Sequence, residues 1–169
     1  AASDVYKRQV AVLSAFRIMA TEQPQKTALT AAMIAHLVLK PGAHSTESGK
    51  ASLGMRVMEH LIHMFGQDVD AHYWRNARLV LHVFVALAPL GVVSSASLRR
   101  TIKAFVDVLS SDGVSRDVAD PAADCVIEAM CRGGTDLIQP EPGALEALPS
   151  AREEMDAIVD GITLYLSLI

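Results

Sequence analysis

The chain has 169 residues, 51% of them hydrophobic and 20% charged, with a formal net charge of −4. That length and balance suit one globular domain with a continuous core and exclude a disordered chain. The negative balance also excludes broad phosphate binding, which needs a Lys/Arg-rich surface to displace counterions. Any contact with RNA is therefore expected to be local or supplied by a partner.

The opening Ala1–Gln9, AASDVYKRQ, is polar and lacks the apolar periodicity that begins at Val10. It reads as an adaptor or cloning remnant, or a disordered leader, outside a single helical-repeat domain over residues 10–169. A first helix is predicted over Val10–Ala20, with Leu13, Phe16 and Ile18 apolar and Pro24 beyond its end. A second spans Thr27–Leu39, carries Leu29, Met33 and Leu37, and stops at Lys40-Pro41-Gly42. The third, Lys50–Phe65, sets Met55, Met58, Ile62 and Phe65 against Arg56, Glu59, His60 and His63.

Residues 76–110 are the most informative stretch and read as two helices back to back. The fourth helix is apolar almost all the way round from Leu79 to Leu90, so it must be wrapped on several sides. Gly91 breaks it, and the Ser94–Ser97 run caps the fifth. That helix keeps Leu98, Ile102, Phe105 and Leu109 on one face and Arg99, Arg100, Lys103 and Asp107 on the other. The sixth, Arg116–Cys131, buries Ala122, Cys125, Val126 and Ala129 and ends at Gly133-Gly134. After an irregular stretch with Pro140, Pro142 and Pro149, the seventh opens on Ser150-x-x-Glu153, a capping box, with Met155, Ile158, Val159, Ile162 and Leu166 as its stripe. The chain ends on LYLSLI in mid-helix, and the domain reads as truncated at both ends.

Nothing reads as a strand. Taken two at a time, the helices repeat every 40 to 47 residues, roughly the HEAT or armadillo period. The fold expected is all-α, with antiparallel helix pairs stacked as a right-handed HEAT/armadillo-like solenoid of about seven helices. A compact seven-helix bundle is the competing architecture.

Chemistry is sparse. GAHSTESGKA, residues 42–51, imitates a phosphate loop, but His44 stands where the first glycine belongs and Ala51 replaces the hydroxyl. The plain alternative is a polar loop between helices. His60 and His63 share a helical face, yet zinc needs three or four convergent ligands, so solvated histidines are the alternative. His82 sits in the most apolar helix and reads as a hydrogen-bonded core residue. Cys125 and Cys131, six apart on one helix, fall on different faces and read as buried free thiols. Leu79–Val93 is too short to span a membrane and is interrupted by His82 and Pro89. No catalytic constellation, cofactor site or metal site emerges.

Two basic features could bear on binding. Trp74, Arg75 and Arg78 begin the fourth helix, and Arg99, Arg100 and Lys103 lie on the polar face of the fifth. Aromatic plus Arg is hot-spot composition, and clustered Arg can hold an acidic peptide or phosphate. A structural tryptophan with solvated arginines is the alternative.

The helix order and wording of Val10–Ala20, Ala31–Lys50, Leu53–Phe65, Asn76–Leu109, and the run from Cys125-Val-Ile-Glu-Ala-Met through Glu153-Glu-Met-Asp-Ala-Ile-Val-Asp resemble a known family. This is the first helical-repeat domain of the large subunit of the nuclear cap-binding complex, which shares its fold with the middle domain of translation initiation factor 4G. The resemblance covers nearly all of residues 10–169 and lies in helix order and scattered positions, without an invariant signature. It implies a basic nuclear-import segment upstream and further repeat domains downstream. It also implies a non-catalytic scaffold in the nucleus that steadies a small RRM cap-binding subunit and docks RNA-processing, export and decay factors. RNA is then met indirectly, with no cofactor, no membrane and no small-molecule substrate, and no cap-contacting residue is carried over. Two alternatives stay open: a cytoplasmic middle-domain adaptor in translation or nonsense-mediated decay, and a helical ligand- or metal-binding bundle using the histidines.

Overall fold

A computed structural model describes residues 2–40, 52–111, 113–138 and 147–169. These form seven α-helices: α1 (Ala2–Glu22), α2 (Thr27–Leu39), α3 (Leu53–Asp70), α4 (Trp74–Leu87), α5 (Ser95–Leu109), α6 (Arg116–Gly133) and α7 (Ala147–Ser167). Short 3-10 turns precede α2 (Pro24–Lys26) and succeed α6 (Gly134–Ile138). Among the described residues there is no strand, and no helix is long and apolar enough to cross a membrane. The chain divides into two compact units, Ala1–Val92 and Val93–Ile169. The break falls just after Gly91, whose φ of +73° is a conformation open to glycine.

The net charge of −4 hides an asymmetry between these units. The first carries nine Lys and Arg against six Asp and Glu, a net +3, together with all six histidines. The second carries six against thirteen, a net −7.

In the first unit, α4 is wrapped as its composition demands. From Leu79 to Leu87 every residue but Ala86 is buried, and α4 packs against α1, α2 and α3. Phe65 of α3 meets Phe84 edge-on, with centroids 5.6 Å apart and planes at 72°. The helix stops at Leu87 rather than Leu90, because Pro89 has no N–H for the ladder and its ring crowds the preceding turn. Ala88 closes the end, and the Gly91 N–H donates to its carbonyl at 2.9 Å.

The helices beside α4 turn different faces inward than the apolar stripes predict. In α2 the buried residues are Thr30, Ala31, Ile34, Ala35 and Val38, whereas Leu29 and Met33, expected inside, are exposed. A Cβ on Gly54 of α3 would lie 2.6 Å from the Leu37 carbonyl carbon and oxygen, so backbone touches backbone where α3 begins against the end of α2. In α3 the buried set is Gly54, Val57, Met58, Leu61, Met64 and Asp68, and Met55 and Ile62 face out. The polar side of α3 instead meets α1, where Arg56 Nη1 donates to Gln9 Oε1 at 2.6 Å. Helix α1 begins at Ala2, not Val10: Ala, Lys, Arg and Gln are good helix formers and no breaker interrupts them. Phe16 is buried there as expected, while Ile18 is exposed.

In the second unit, Ser94 caps α5 as the serine run predicts, its hydroxyl accepting from the Ser97 N–H at 3.1 Å. Helices α5 and α7 run in the same direction, with Arg99 opposite Glu154 and Val106 opposite Gly161. A Cβ on Gly161 would collide with the Val106 side chain. Helix α6 returns antiparallel to α5, so Asp136, just beyond its end, accepts from Ser95 Oγ at 2.6 Å. Tyr165 near the end of α7 donates to Asp120 near the start of α6. Helix α7 starts at Ala147, which puts Ser150 inside the helix rather than at a capping box. Pro149 does not prevent this, since the first turn needs no N–H partners. The buried face of α7 is Ala151, Ile158 and Ile162, and Val159 and Leu166 of the expected stripe are exposed. Cys125 is buried, but Cys131, most of a half-turn round the helix and near its end, is exposed.

Candidate functional site

Among the described residues, the corner between α3 and α4 holds the one non-glycine residue with a positive φ. The Tyr73 N–H donates to the Asp68 carbonyl at 2.7 Å and the His72 N–H to the Val69 carbonyl at 3.0 Å. These are the two bonds of a Schellman ending, which places the residue after the helix cap in the left-handed region. That residue is His72, at φ +57°, where glycine is the usual occupant. An L side chain there costs roughly 1 kcal/mol per residue. The Tyr73 carbonyl then accepts from the Asn76 and Ala77 N–H groups at 3.0 and 3.1 Å, starting α4 with no intervening loop.

This tight turn stacks two rings. The His72 imidazole and Trp74 indole lie nearly parallel, at 8°, with centroids 5.6 Å apart. His72, Tyr73, Trp74, Arg75 and Asn76 line an open depression of about 360 Å³. Tyr73 is 64% exposed, Arg75 is exposed, and Trp74 and Arg78 are half-buried. The buried Asp68 carboxyl is held by the Asn76 side chain, and burial raises its pKa against the opposing pull of Arg17 and Asn76. Trp74, Arg75 and Arg78 thus belong to one corner of the first unit. His72 and Tyr73 join them without having stood out in the sequence, because a left-handed histidine looks like any loop histidine. The available signal is an Asp-Ala-His-Tyr junction between two long helices with no glycine to close the first.

The other basic group belongs to the second unit and divides. Arg99 is only 5% exposed and is not part of an open polar face. Its Nε donates to Glu154 Oε2 at 2.6 Å and its Nη1 to the Leu137 carbonyl at 2.7 Å, tying α5 to α7 and to the turn after α6. Where the sequence pattern places Arg99 on the polar face of the helix, the structure buries it and binds it to two partners within the unit. Arg100 is exposed. Lys103 Nζ pairs with Asp107 at 2.8 Å along the helix, an exposed pair.

The histidines do not converge. His60 is half-buried beside α1, and burial, then Arg17, then His63, push its imidazole below its usual pKa of 6.5. His63 is exposed and His82 is buried in α4. Among the described residues no group of three metal-ligating side chains forms. The phosphate-loop imitation at 42–51 lies outside the described residues. A second depression, about 260 Å³, is lined by Ala35, His36, Leu39, Lys40 and Leu90 of the first unit.

No protein-family model matches the chain, and no curated protein matches it.

Proposed function

We propose that the chain is a non-catalytic scaffold domain of the nuclear cap-binding complex, acting in the nucleus beside a small RRM subunit that holds the mRNA 5′ cap. The helix pairs are read as part of a HEAT/armadillo-like solenoid. The reading is supported by the resemblance in helix order together with one structural observation. Helices α3 and α4, joined by a tight hydrogen-bonded turn, present a preformed surface at their corner, and a partner loses less freedom docking on a surface already ordered.

The test is co-expression of the complete gene product with the small RRM subunit, then capture on immobilised 7-methylguanosine. The scaffold reading predicts retention that depends on the small subunit. Retention without it, or none with it present, would contradict the reading.

A second reading is a cytoplasmic middle-domain adaptor in translation or decay, one that binds a helicase or RNA directly. The net charge of +3 on the first unit favours it, since a locally positive unit suits RNA better than the whole chain does. Helicase capture by the chain would select this reading over the first.

A further inference from the structure

Helix α2 is apolar on every side, yet only one side is covered. From Thr27 to Leu39 it holds no acid, Lys or Arg, and the Thr27 and Thr30 hydroxyls donate to the Pro24 and Lys26 carbonyls at 2.7 and 3.0 Å. The face of Ala31, Ile34, Ala35 and Val38 is buried, and α2 packs on α3 and α4. The opposite face, Leu29, Ala32, Met33, His36 and Leu39, is exposed, Leu29 by 53% and Leu39 by 54%. A helix apolar all round belongs inside a wrapping of neighbours, as α4 is, and among the described residues α2 lacks one on this side.

The charge of this face has one sign. Residues 23–40 contain no acid, and His36 and Lys40 stand exposed at the end of the helix. There they line a depression of about 260 Å³ with Ala35, Leu39 and Leu90. Glu22, the nearest preceding acid in sequence, comes before Pro24, at the opposite end of the helix. Paired with its own copy, the face would form no ion pair.

We infer that α2 of one copy docks on α7 of a second copy, head to tail. Glu153, Ala157, Asp160 and Leu164 recur along one side of α7, Leu168 follows them, and all five are exposed. The buried face of α7, Ala151, Ile158 and Ile162, lies on another side of the helix. Both helices rise equally per residue, so an antiparallel docking that sets Leu29 on Leu168 also sets Met33 on Leu164. His36 then comes beside Asp160, and Lys40 lies one helical turn from Glu153. Apolar meets apolar and base meets acid, and the net charges of the units, +3 and −7, attract in the same sense. The contact is heterologous, so each copy offers one face to the copy before it and one to the copy after. One helix on one helix falls below the roughly 1,200 Å² of a stable interface, so the association is weak and concentration-dependent. The inference goes beyond the scaffold reading and does not depend on it, because both faces are defined by their own residues.

Sedimentation velocity of the 169-residue chain tests it. The average mass is expected to climb as concentration rises towards about 100 μM and to fall back as salt is added. Met33→Glu spoils the α2 face and Leu164→Glu the α7 face, both at exposed positions, and each variant alone should be monomeric with an unaltered circular-dichroism spectrum. Mixed, they should form a one-to-one dimer, since the mixture keeps one intact α7 face and one intact α2 face. Lys40→Glu, exposed and outside the core, should weaken association several-fold and keeps the test sound should either other variant misfold. A parent that is monomeric throughout, self-association kept by Met33→Glu or Leu164→Glu, a mixture that stays monomeric, or an unchanged affinity in Lys40→Glu would each overturn the proposal. In the first case, co-sedimentation of the parent with phosphatidylserine vesicles would assign the α2 face to a lipid surface instead.

Discussion

The two units use arginine in opposite ways. In the first, net +3, Arg75 stands exposed beside stacked rings at the start of α4. In the second, net −7, Arg99 is buried at the start of α5 and ties three segments together through Glu154 and the Leu137 carbonyl. Both residues sit in basic clusters at a helix beginning, and as a sequence pattern they look alike. What separates them is what packs alongside. Arg99 has a later helix and turn laid over it, whereas the Arg75 corner is an open depression. A basic cluster thus has a meaning only once the elements distant in sequence are in place.

The packing of the units differs as well, and substitution can sharpen that difference. The largest effect is expected at Gly54. The obstacle to a side chain there is the backbone of Leu37 and Val38, which cannot swing aside. Gly54→Val should destabilise the first unit by about 3 kcal/mol or more, at the upper end of overpacking costs. Urea unfolding monitored by Trp74 emission reads it, and no single neighbouring truncation should rescue it. At Gly161 the obstacle is a side chain, so Gly161→Ala should be rescued in part by Val106→Ala. Equal rescue at both sites would break the contrast between the two seams.

Next in size is Arg99→Met, which removes a charged donor from two acceptors. Hydrogen bonds to charged groups are worth about 1.5–3 kcal/mol, and the half-exposed Glu154 carboxylate can recover water, so a loss of about 2 kcal/mol is expected by chemical denaturation. An Arg99→Met protein as stable as the parent would return Arg99 to the surface that the sequence pattern assigns it.

His72→Gly should stabilise by about 1 kcal/mol, the only change here with that sign. The expected readout is a higher urea midpoint with an unchanged slope. A lower midpoint would show that the ring stack outweighs the backbone strain.

Acidity should also separate the units, since all six histidines lie in the first. Burial, then Arg17 and His63, lower the pKa of His60 below 6.5, so the folded unit refuses a proton that the unfolded chain accepts. The stability concerned is present above pH 6.5 and is lost as pH falls through the lowered folded value. Asp68 acts in the opposite sense at lower pH, where its raised pKa makes stability fall as pH climbs through the carboxylate range. His60→Gln should flatten the first slope in urea midpoints measured from pH 7 downward. The smallest effect is expected for Lys103→Ala, which breaks an exposed pair and should stay within about 0.5 kcal/mol.

The helices themselves are legible in the sequence. The bounds of α2, the Ser94 cap and the wrapped character of α4 come from breakers, cap chemistry and an apolar surround. The inward faces are less so. Leu29 and Met33 cede their places in α2 to the face of Ala31, Ile34, Ala35 and Val38, because α2 packs between α3 and α4 and only that face meets them. Helix starts depart from expectation where polar residues with good helical propensity extend α1, and where Pro149 fits the first turn of α7. At the candidate site, Trp74 and Arg75 are visible as composition. His72 is not, since its role comes from a backbone angle that no residue type announces.

The decisive experiment sets the two arginines against each other in one assay. Urea midpoints are compared for Arg99→Met and Arg75→Met, each with an unaltered circular-dichroism spectrum. A buried tie at Arg99 and an open corner at Arg75 predict a loss of about 2 kcal/mol in the first variant and a change within about 0.5 kcal/mol in the second. Equal losses, or the larger loss in Arg75→Met, would contradict the division drawn between the two arginines.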